Sequence, residues 1–408
     1  MDSDLNWIRS QQDVMVDRLI RWSSINSFSH NLSGLQEMVH ALRHDFSVLD
    51  GAATLLPLPP VNSISLQGEQ VSCPLGEVLH MRCRQEAPLQ ILVGGHYDTV
   101  YPPSKNPPLP RRVDNDTLEG EGVADMKGGL ALLLTLLEAL DRAPLGKNIG
   151  WELLITPDEE IGSPGSRMLW EEAAAGKQLA LLFEPALGDG SLVSARMGSG
   201  HLTFVVKGLA AHAGRDFFEG RSAIYALTHL LHLLEPLSSE ASGIIFNPGL
   251  INGGAAANIV ADRAVCHAMI RAWYKADIDA TLHRIDAAAQ EVAQSRGVLI
   301  EVHREMFRPP KVCDEATMEL LTGLKGAGRE LGMKVEWQKT GGVCDGNSIA
   351  SLGLPTCDNL GVRGGKTHSS KEFATLSSLS ERASLVTHYL LKLASGELNM
   401  PSRSRWTS

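Results

Sequence analysis

Short apolar runs closed by glycine, proline or an acid, alternating with helix-length segments, constrain this chain most. QILV (90–93) runs into Gly94-Gly95 ahead of His96, WELLIT (151–156) into Pro157 and three successive acids, and ALLF (180–183) into Glu184. Runs of that length, punctuated this way, suit buried strands. Between them lie helical segments, the strongest at 126–140 around GGLALLLTLLEAL and another at 167–175. Ahead of them, Ile8, Val14, Val16, Leu19 and Ile20, then Leu35, Met38, Leu42 and Phe46, recur at helical spacing within 7–49. Strands alternating with helices predict an α/β fold with a mostly parallel sheet flanked by helices.

The pattern changes after Gly198. HLTFVVK (201–207) alternates as a half-exposed strand does, 221–234 reads as a helix, 265–273 as a strand and 277–295 as a helix. These about 110 residues predict a small β-α-β-β-α-β insert with its own sheet. Arg308-Pro309-Pro310 breaks the chain, after which a helix at 318–331, a strand at 334–338 and a helix at 380–394 resume the first pattern. The expected organisation is a discontinuous unit of residues 1–197 and 309–408 interrupted by an insert at 198–308.

Charge and cysteine usage narrow the partners. Lys and Arg number 37 against 47 Asp and Glu, a net charge of -10. Arg111-Arg112 and the pair Arg403 and Arg405 are too short to form a basic stripe, so nucleic acid is not an expected partner. The six cysteines form no C-x-x-C pair, which argues for free thiols rather than a zinc ribbon or a redox motif. The opening residues lack a basic region followed by an apolar run, and apolar runs such as 129–137 are about half a bilayer span. The expectation is a cytoplasmic protein with no membrane partner.

Donor side chains then gather at the ends of these runs. In GGHYDTV, Asp98 lies two residues from His96, where a carboxylate can fix the tautomer of a metal-ligating imidazole; a surface histidine is the plainer alternative. In GEGVADMKGG, Asp125 precedes the helix; its two oxygens could bridge two cations, although an Asp there is ordinarily an N-cap. TPDEEIGS sets Asp158, Glu159 and Glu160 in a row, three acids that repel unless cations compensate and that can divide ligation from proton transfer; an exposed acidic turn is the alternative. Glu184 closes an apolar strand, where a carboxylate is costly without a partner unless it reaches solvent. Strand carboxyl ends are where ligands sit in such sheets. His368, in a glycine-rich loop, stands alone by sequence.

Taken together, GGHYDTVYP, GEGVADMKGG, TPDEEIGSPGS, FEPA and the late THSS resemble, in order and spacing, the co-catalytic zinc amidohydrolases of the glutamate carboxypeptidase, aminoacylase, acetylornithine deacetylase and succinyl-diaminopimelate desuccinylase superfamily. KGLAAHAG, NGGAAANIVAD and TGGVCDGN most resemble the bacterial glutamate carboxypeptidase branch. The resemblance implies a zinc-exopeptidase-like catalytic domain with an α+β, ferredoxin-like lid through which the chain forms a homodimer. It implies two divalent metal ions, zinc first with cobalt or manganese as alternatives, with Asp125 bridging, His96 and Glu184 on one ion, and Glu160 and His368 on the other. Asp98 would orient His96, Glu159 would be the general base, and His212 would stabilise the oxyanion. Asn258 would contact substrate, and Arg271 and Arg308 are candidates to grip a substrate carboxylate, since a guanidinium suits bidentate binding; either could instead form an ordinary ion pair. GGKTHSSKEF departs from many relatives in the neighbours of His368.

The implied reaction is hydrolysis of an amide or peptide bond next to a free carboxylate, glutamate-carboxypeptidase-like. N-acyl-amino-acid deacylation is the alternative, hydrolysis of a ureido compound a third, and a non-catalytic relative that binds amino acids or peptides a fourth.

Overall fold

The computed structural model describes residues 2–105 and 108–402; Arg403 and Arg405 lie outside the described residues. Three helices open the chain: α1 (Asp2–Ser10), α2 (Gln12–Ser23) and α3 (Leu32–Phe46). Their periodic residues Ile8, Val16, Leu19, Leu35, Met38, Leu42 and Phe46 are buried, whereas Val14 faces outward. Next come β1 (Thr54–Pro57), β2 (Glu77–Cys83), β3 (Leu89–His96), α4 (Gly129–Arg142), β4 (Ile149–Thr156), α5 (Arg167–Ala173) and β5 (Leu179–Leu182). The insert supplies β6 (Gly198–Lys207), α6 (Ala223–Leu234), β7 (Ile245–Gly253), β8 (Arg263–Ala272), α7 (Lys275–Arg296) and β9 (Leu299–Arg308). The chain closes with α8 (Glu315–Glu330), α9 (Asp345–Ala350), β10 (Thr356–Cys357) and α10 (Ser378–Ser395).

The main sheet runs β1-β2-β4-β3-β5-β10. From β4 to β10 every pair is parallel, and only β2 runs against its neighbours. Helices cover both faces, so β4 is buried at each of its positions. That explains its mostly apolar text, which a half-exposed strand would have alternated with polar residues. Its one acid, Glu152, is paired with Arg82 at 2.9 Å, Lys177 at 2.8 Å and His80 at 3.0 Å. Parallel alignment sets His96 beside Thr156 and Gly94 beside Leu182. Three strands therefore deliver their following residues to one edge, and this is what assembles the site.

The insert has an antiparallel sheet in the order β7-β8-β6-β9. Leu202, Phe204 and Val206 of β6 point to α6 and α7 and join a buried apolar cluster separate from that of the main sheet. β7 lies on an outer edge, with Ile245, Leu250 and Ile251 exposed.

Two local expectations shift. Regular helix starts at Gly129 rather than 126, because Asp125 (φ -111°, ψ 93°) and Met126 (φ -129°, ψ 34°) leave helical geometry. A Cβ on Gly129 would stand 1.9 Å from the Phe183 carbonyl oxygen, so only glycine lets α4 begin against the end of β5. The strand expected at 334–338 forms instead at Trp337–Thr340 and pairs in parallel with Leu192–Arg196, outside the main sheet. A hairpin of Val61–Ile64 and Gln70–Cys73 reaches the insert, where Ile64 N–H donates to Glu305 at 3.2 Å and Asn252 donates to the Leu66 carbonyl at 3.0 Å. All six cysteines are free thiols. Among the described residues no helix is long and apolar enough to cross a membrane.

Candidate metal centre

His96 ends β3, Glu160 follows β4, Glu184 follows β5, Asp125 precedes α4, and His368 comes from the loop before α10. The fold brings all five together. His96 Nε2 lies 3.2 Å from Asp125 Oδ1 and 3.5 Å from Glu184 Oε2. His368 Nε2 lies 3.5 Å from Asp125 Oδ2 and 3.2 Å from Glu160 Oε2. Asp125 thus offers one oxygen to each imidazole. The donor atoms of His96, Asp125 and Glu160 fall within 4.8 Å of one another. The N-cap alternative for Asp125 gives way, since its carboxylate is turned to the two imidazoles.

The acidic triplet divides its work. Asp158 accepts from Gly165 N–H at 2.8 Å and from Ser166 N–H at 3.1 Å and Oγ at 2.5 Å, so it builds the turn. Glu160 faces His368. Glu159 is buried and faces Arg308, with Oε1 2.9 Å from Nη1. Asp98 fixes the frame, its Oδ1 and Oδ2 accepting the N–H groups of Glu159 and Glu160, both at 3.1 Å. For His96 the geometry differs from the expectation in part. The hydrogen bond of Nδ1 goes to the Asp98 carbonyl at 3.0 Å, with the Asp98 carboxylate 3.3 Å away, because Asp98 lies beyond the end of β3.

Electrostatics among the protein groups show a crowded site. Burial opposes protonation of His96, yet Glu184, Asp125 and Asp98 hold its pKa well above that of an ordinary histidine. Burial pushes Glu160 up to about 7. It also raises Glu184, and raises Glu159 far above the usual range against the pull of Arg308. Glu184 Oε1 is buried without a hydrogen-bond partner. Three carboxylates converging with an orphaned oxygen want a cation, and oxygen and imidazole donors suit zinc, cobalt or manganese. The donor set fits divalent metal.

Not every expected residue joins the cluster. Exposed His212 and Asn258 lie together on the insert, where Ala213 N–H donates to the Asn258 carbonyl at 3.0 Å. Among the described residues neither bonds to the five donors. Arg271 donates Nη1 to the Gly341 carbonyl. Of the two uses open for Arg308, substrate grip or an ion pair, the structure shows the ion pair: Arg308 is buried and engaged with Glu159, with Asp345 at 3.2 Å and with Ser163 Oγ at 2.7 Å. Its partners are the protein's own acids.

Sequence reading missed Arg196. With Asp125, Glu184 and His368 it lines a cleft of about 340 Å³ that also borders Gly342 and Cys344. Asp358 holds Arg196 Nε at 2.9 Å and Lys311 Nζ at 3.1 Å, both on Oδ2. A second omission is Glu372, which accepts the N–H groups of Ala124 and Asp125. Its only sequence signal is a spacing of four from His368.

Comparison with known proteins shows the family. Carboxypeptidase G2 of Pseudomonas sp. (strain RS-16) is 28% identical over 312 residues, 75% of this chain and 74% of that protein. A succinyl-diaminopimelate desuccinylase of Hahella chejuensis (strain KCTC 2396) is 26% identical over 350 residues, 80% of this chain and 88% of that protein. A tripeptidase structure from Staphylococcus aureus subsp. aureus Mu50 superposes with a TM-score of 0.73 at 23% identity, covering 94% of this chain and 99% of that one, a likeness of fold alone. The model of peptidase family M20/M25/M40 matches residues 92–392, a span that holds all five clustered donors and Glu159. With that span covered, the chain belongs to peptidase family M20/M25/M40 and is a metal-dependent hydrolase of amide or peptide bonds.

Proposed function

We propose that this chain cleaves an amide or peptide bond adjacent to a free carboxylate, in the manner of a glutamate carboxypeptidase. The observation that carries the reading is the convergence of five donors around Asp125 beside the buried Glu159. His96, Asp125 and Glu184 would hold one divalent cation and Asp125, Glu160 and His368 a second, zinc being the first expectation. When bound, such a pair acidifies water and polarises a carbonyl oxygen. Glu159, not among the ligands, takes the proton from the attacking water and passes it to the leaving amine.

Arg308 faces Glu159 and holds it through the ion pair, while Asp98 holds the Glu159 and Glu160 backbone. The substrate carboxylate is assigned to the cleft lined by Arg196, with Arg271 of β8 bonded to Gly341, in the loop whose Thr340 and Gly342 border that cleft. His212 and Asn258 act from the insert as a lid, reaching the oxyanion and the substrate on closure. The lid also pairs two copies through the exposed edge of β7, and the free thiols support a reducing, cytoplasmic compartment.

Likeness to carboxypeptidase G2 supports the carboxypeptidase reading; the desuccinylase similarity keeps N-acyl-amino-acid deacylation as the second. The test is a panel of dipeptides, C-terminal glutamate conjugates and N-acyl amino acids, assayed with zinc, cobalt and manganese in turn. Glutamate conjugates should be cleaved fastest, and Glu159→Gln should keep its metal while losing at least about a hundredfold in turnover. Undiminished turnover in that variant would refute the proton-transfer role, and preferred cleavage of N-acyl amino acids would shift the assignment to a deacylase.

A further inference from the structure

Asp125 is placed by backbone that no helix supports. Its φ and ψ of -111° and 93° take the segment Val123–Gly128 out of regular geometry. N–H groups displaced from a ladder and buried must find another acceptor. Here both find the same one: Ala124 and Asp125 donate at 2.8 Å and 2.9 Å to Glu372 Oε1. The other oxygen, Oε2, lies 2.5 Å from the Tyr101 hydroxyl, which is also 3.1 Å from the Ser369 carbonyl.

The main chain of Glu372 closes the frame. Its N–H donates to Ser369 O at 3.1 Å, and its own carbonyl accepts from Gly120 N–H at 3.0 Å. One side chain, 1% exposed, therefore ties the His368 loop to the Asp125 segment and to Tyr101, three residues beyond Asp98. Burying a carboxylate costs several kcal/mol unless its hydrogen bonds repay it. An apolar residue would fill this space at less cost but would leave two N–H groups unpaired beside Asp125.

We propose that Glu372 is a positioning residue of the metal centre, holding the Asp125 backbone and the His368 loop in one frame so that their side chains meet. The proposal rests on the reading that Asp125 and His368 ligate divalent metal. Outer-shell partners of metal ligands typically contribute about 10–100-fold in affinity.

The experiment measures zinc affinity by competition with a chromophoric chelator for the wild type, Glu372→Ala, Glu372→Gln and Tyr101→Phe. The melting temperature of each metal-free protein is read alongside. Glu372→Ala should bind zinc about 10–100-fold more weakly. Glu372→Gln, whose amide oxygen can still accept both N–H groups, should recover most of that loss with a metal-free melting temperature like that of the wild type. Tyr101→Phe should fall between them and guards against misfolding of the alanine variant. Saturating zinc should restore turnover in Glu372→Ala with KM little changed. Wild-type affinity in both Glu372→Ala and Tyr101→Phe would overturn the proposal, as would a glutamine variant no better than alanine. A wild type that binds no zinc would instead sink the metal reading beneath it.

Discussion

Asp358→Asn should cost this protein several kcal/mol of stability. The Asp358 carboxylate is fully buried, and Oδ2 alone meets both Arg196 Nε at 2.9 Å and Lys311 Nζ at 3.1 Å, while Oδ1 has no partner. Burial would raise its pKa, but the two cations prevail and hold it at about 2. Against an ordinary aspartate near 3.9, that difference corresponds to about 2.5 kcal/mol of folding free energy at neutral pH. Because the folded value is the depressed one, this stabilisation is complete above about pH 4 and disappears as pH falls through about 2. Asparagine removes it and leaves two buried cations facing one neutral amide, a situation that typically costs about 3–5 kcal/mol.

At about 2.1 cal/mol/K of unfolding entropy per residue, a chain of 408 residues loses about 5 °C in melting temperature for 4 kcal/mol. Calorimetry at pH 7 measures the shift, and a double-mutant cycle with Lys311→Met isolates the pair. Lys311→Met in the Asp358→Asn background should return part of the loss, with a coupling of about 1–3 kcal/mol. A melting temperature within 1 °C of wild type, or additive substitutions, would refute the argument.

Exhaustive chelation should abolish turnover and lower the melting temperature; at free zinc about a thousandfold above Kd the bound form gains about 4 kcal/mol, and an unchanged melting curve would count against the metal centre. Gly129→Ala should destabilise by at least about 2 kcal/mol, because the new Cβ meets the Phe183 carbonyl oxygen at 1.9 Å; urea denaturation decides, and a change under 0.5 kcal/mol would mean that α4 shifts freely. Acid should weaken the fold through Glu152, which burial would raise but which His80, Arg82 and Lys177 hold at about 2. Depressed in the folded state, it stabilises fully above about pH 4.5 and loses that contribution towards pH 2, so Glu152→Gln should flatten the stability curve in that window.

What the sequence disclosed follows from locality. His96, Glu160 and Glu184 each end an apolar run, so strand periodicity and the rule about strand carboxyl ends point to them before any coordinates. His368 and Asp125 gain meaning only as members of a spaced set, since a loop histidine and an acid ahead of a helix have ordinary uses. Arg196, Asp358 and Glu372 were invisible because each takes its role from partners far along the chain: Glu372 meets Asp125 across 247 positions, and Arg196 meets Asp358 across 162. Arg308 was noticed with both uses open, a substrate carboxylate or an ion pair. Its chemistry suits a carboxylate, and the carboxylates it meets are Glu159 and Asp345. In the fold, α6 and α7 were legible by their period, whereas β7 was not placed because its exposed, glycine-bearing text carries no repeat of apolar residues, and β9 was not placed because charged residues break up its apolar ones.

The insert enters through β6 and leaves through β9, and these two strands are neighbours, with Ser199 paired to Arg308. Just outside them the crossings stay bonded, Arg196 and Lys311 exchanging both backbone N–H···O bonds at 3.0 Å and 3.1 Å. In the lid motion proposed above, a unit carried on two stitched ribbons would swing like a door on adjacent pins, tilting more readily than it slides or twists, which would shear the stitches. One residue added to a single crossing should therefore skew the swing more than several added to an outer loop.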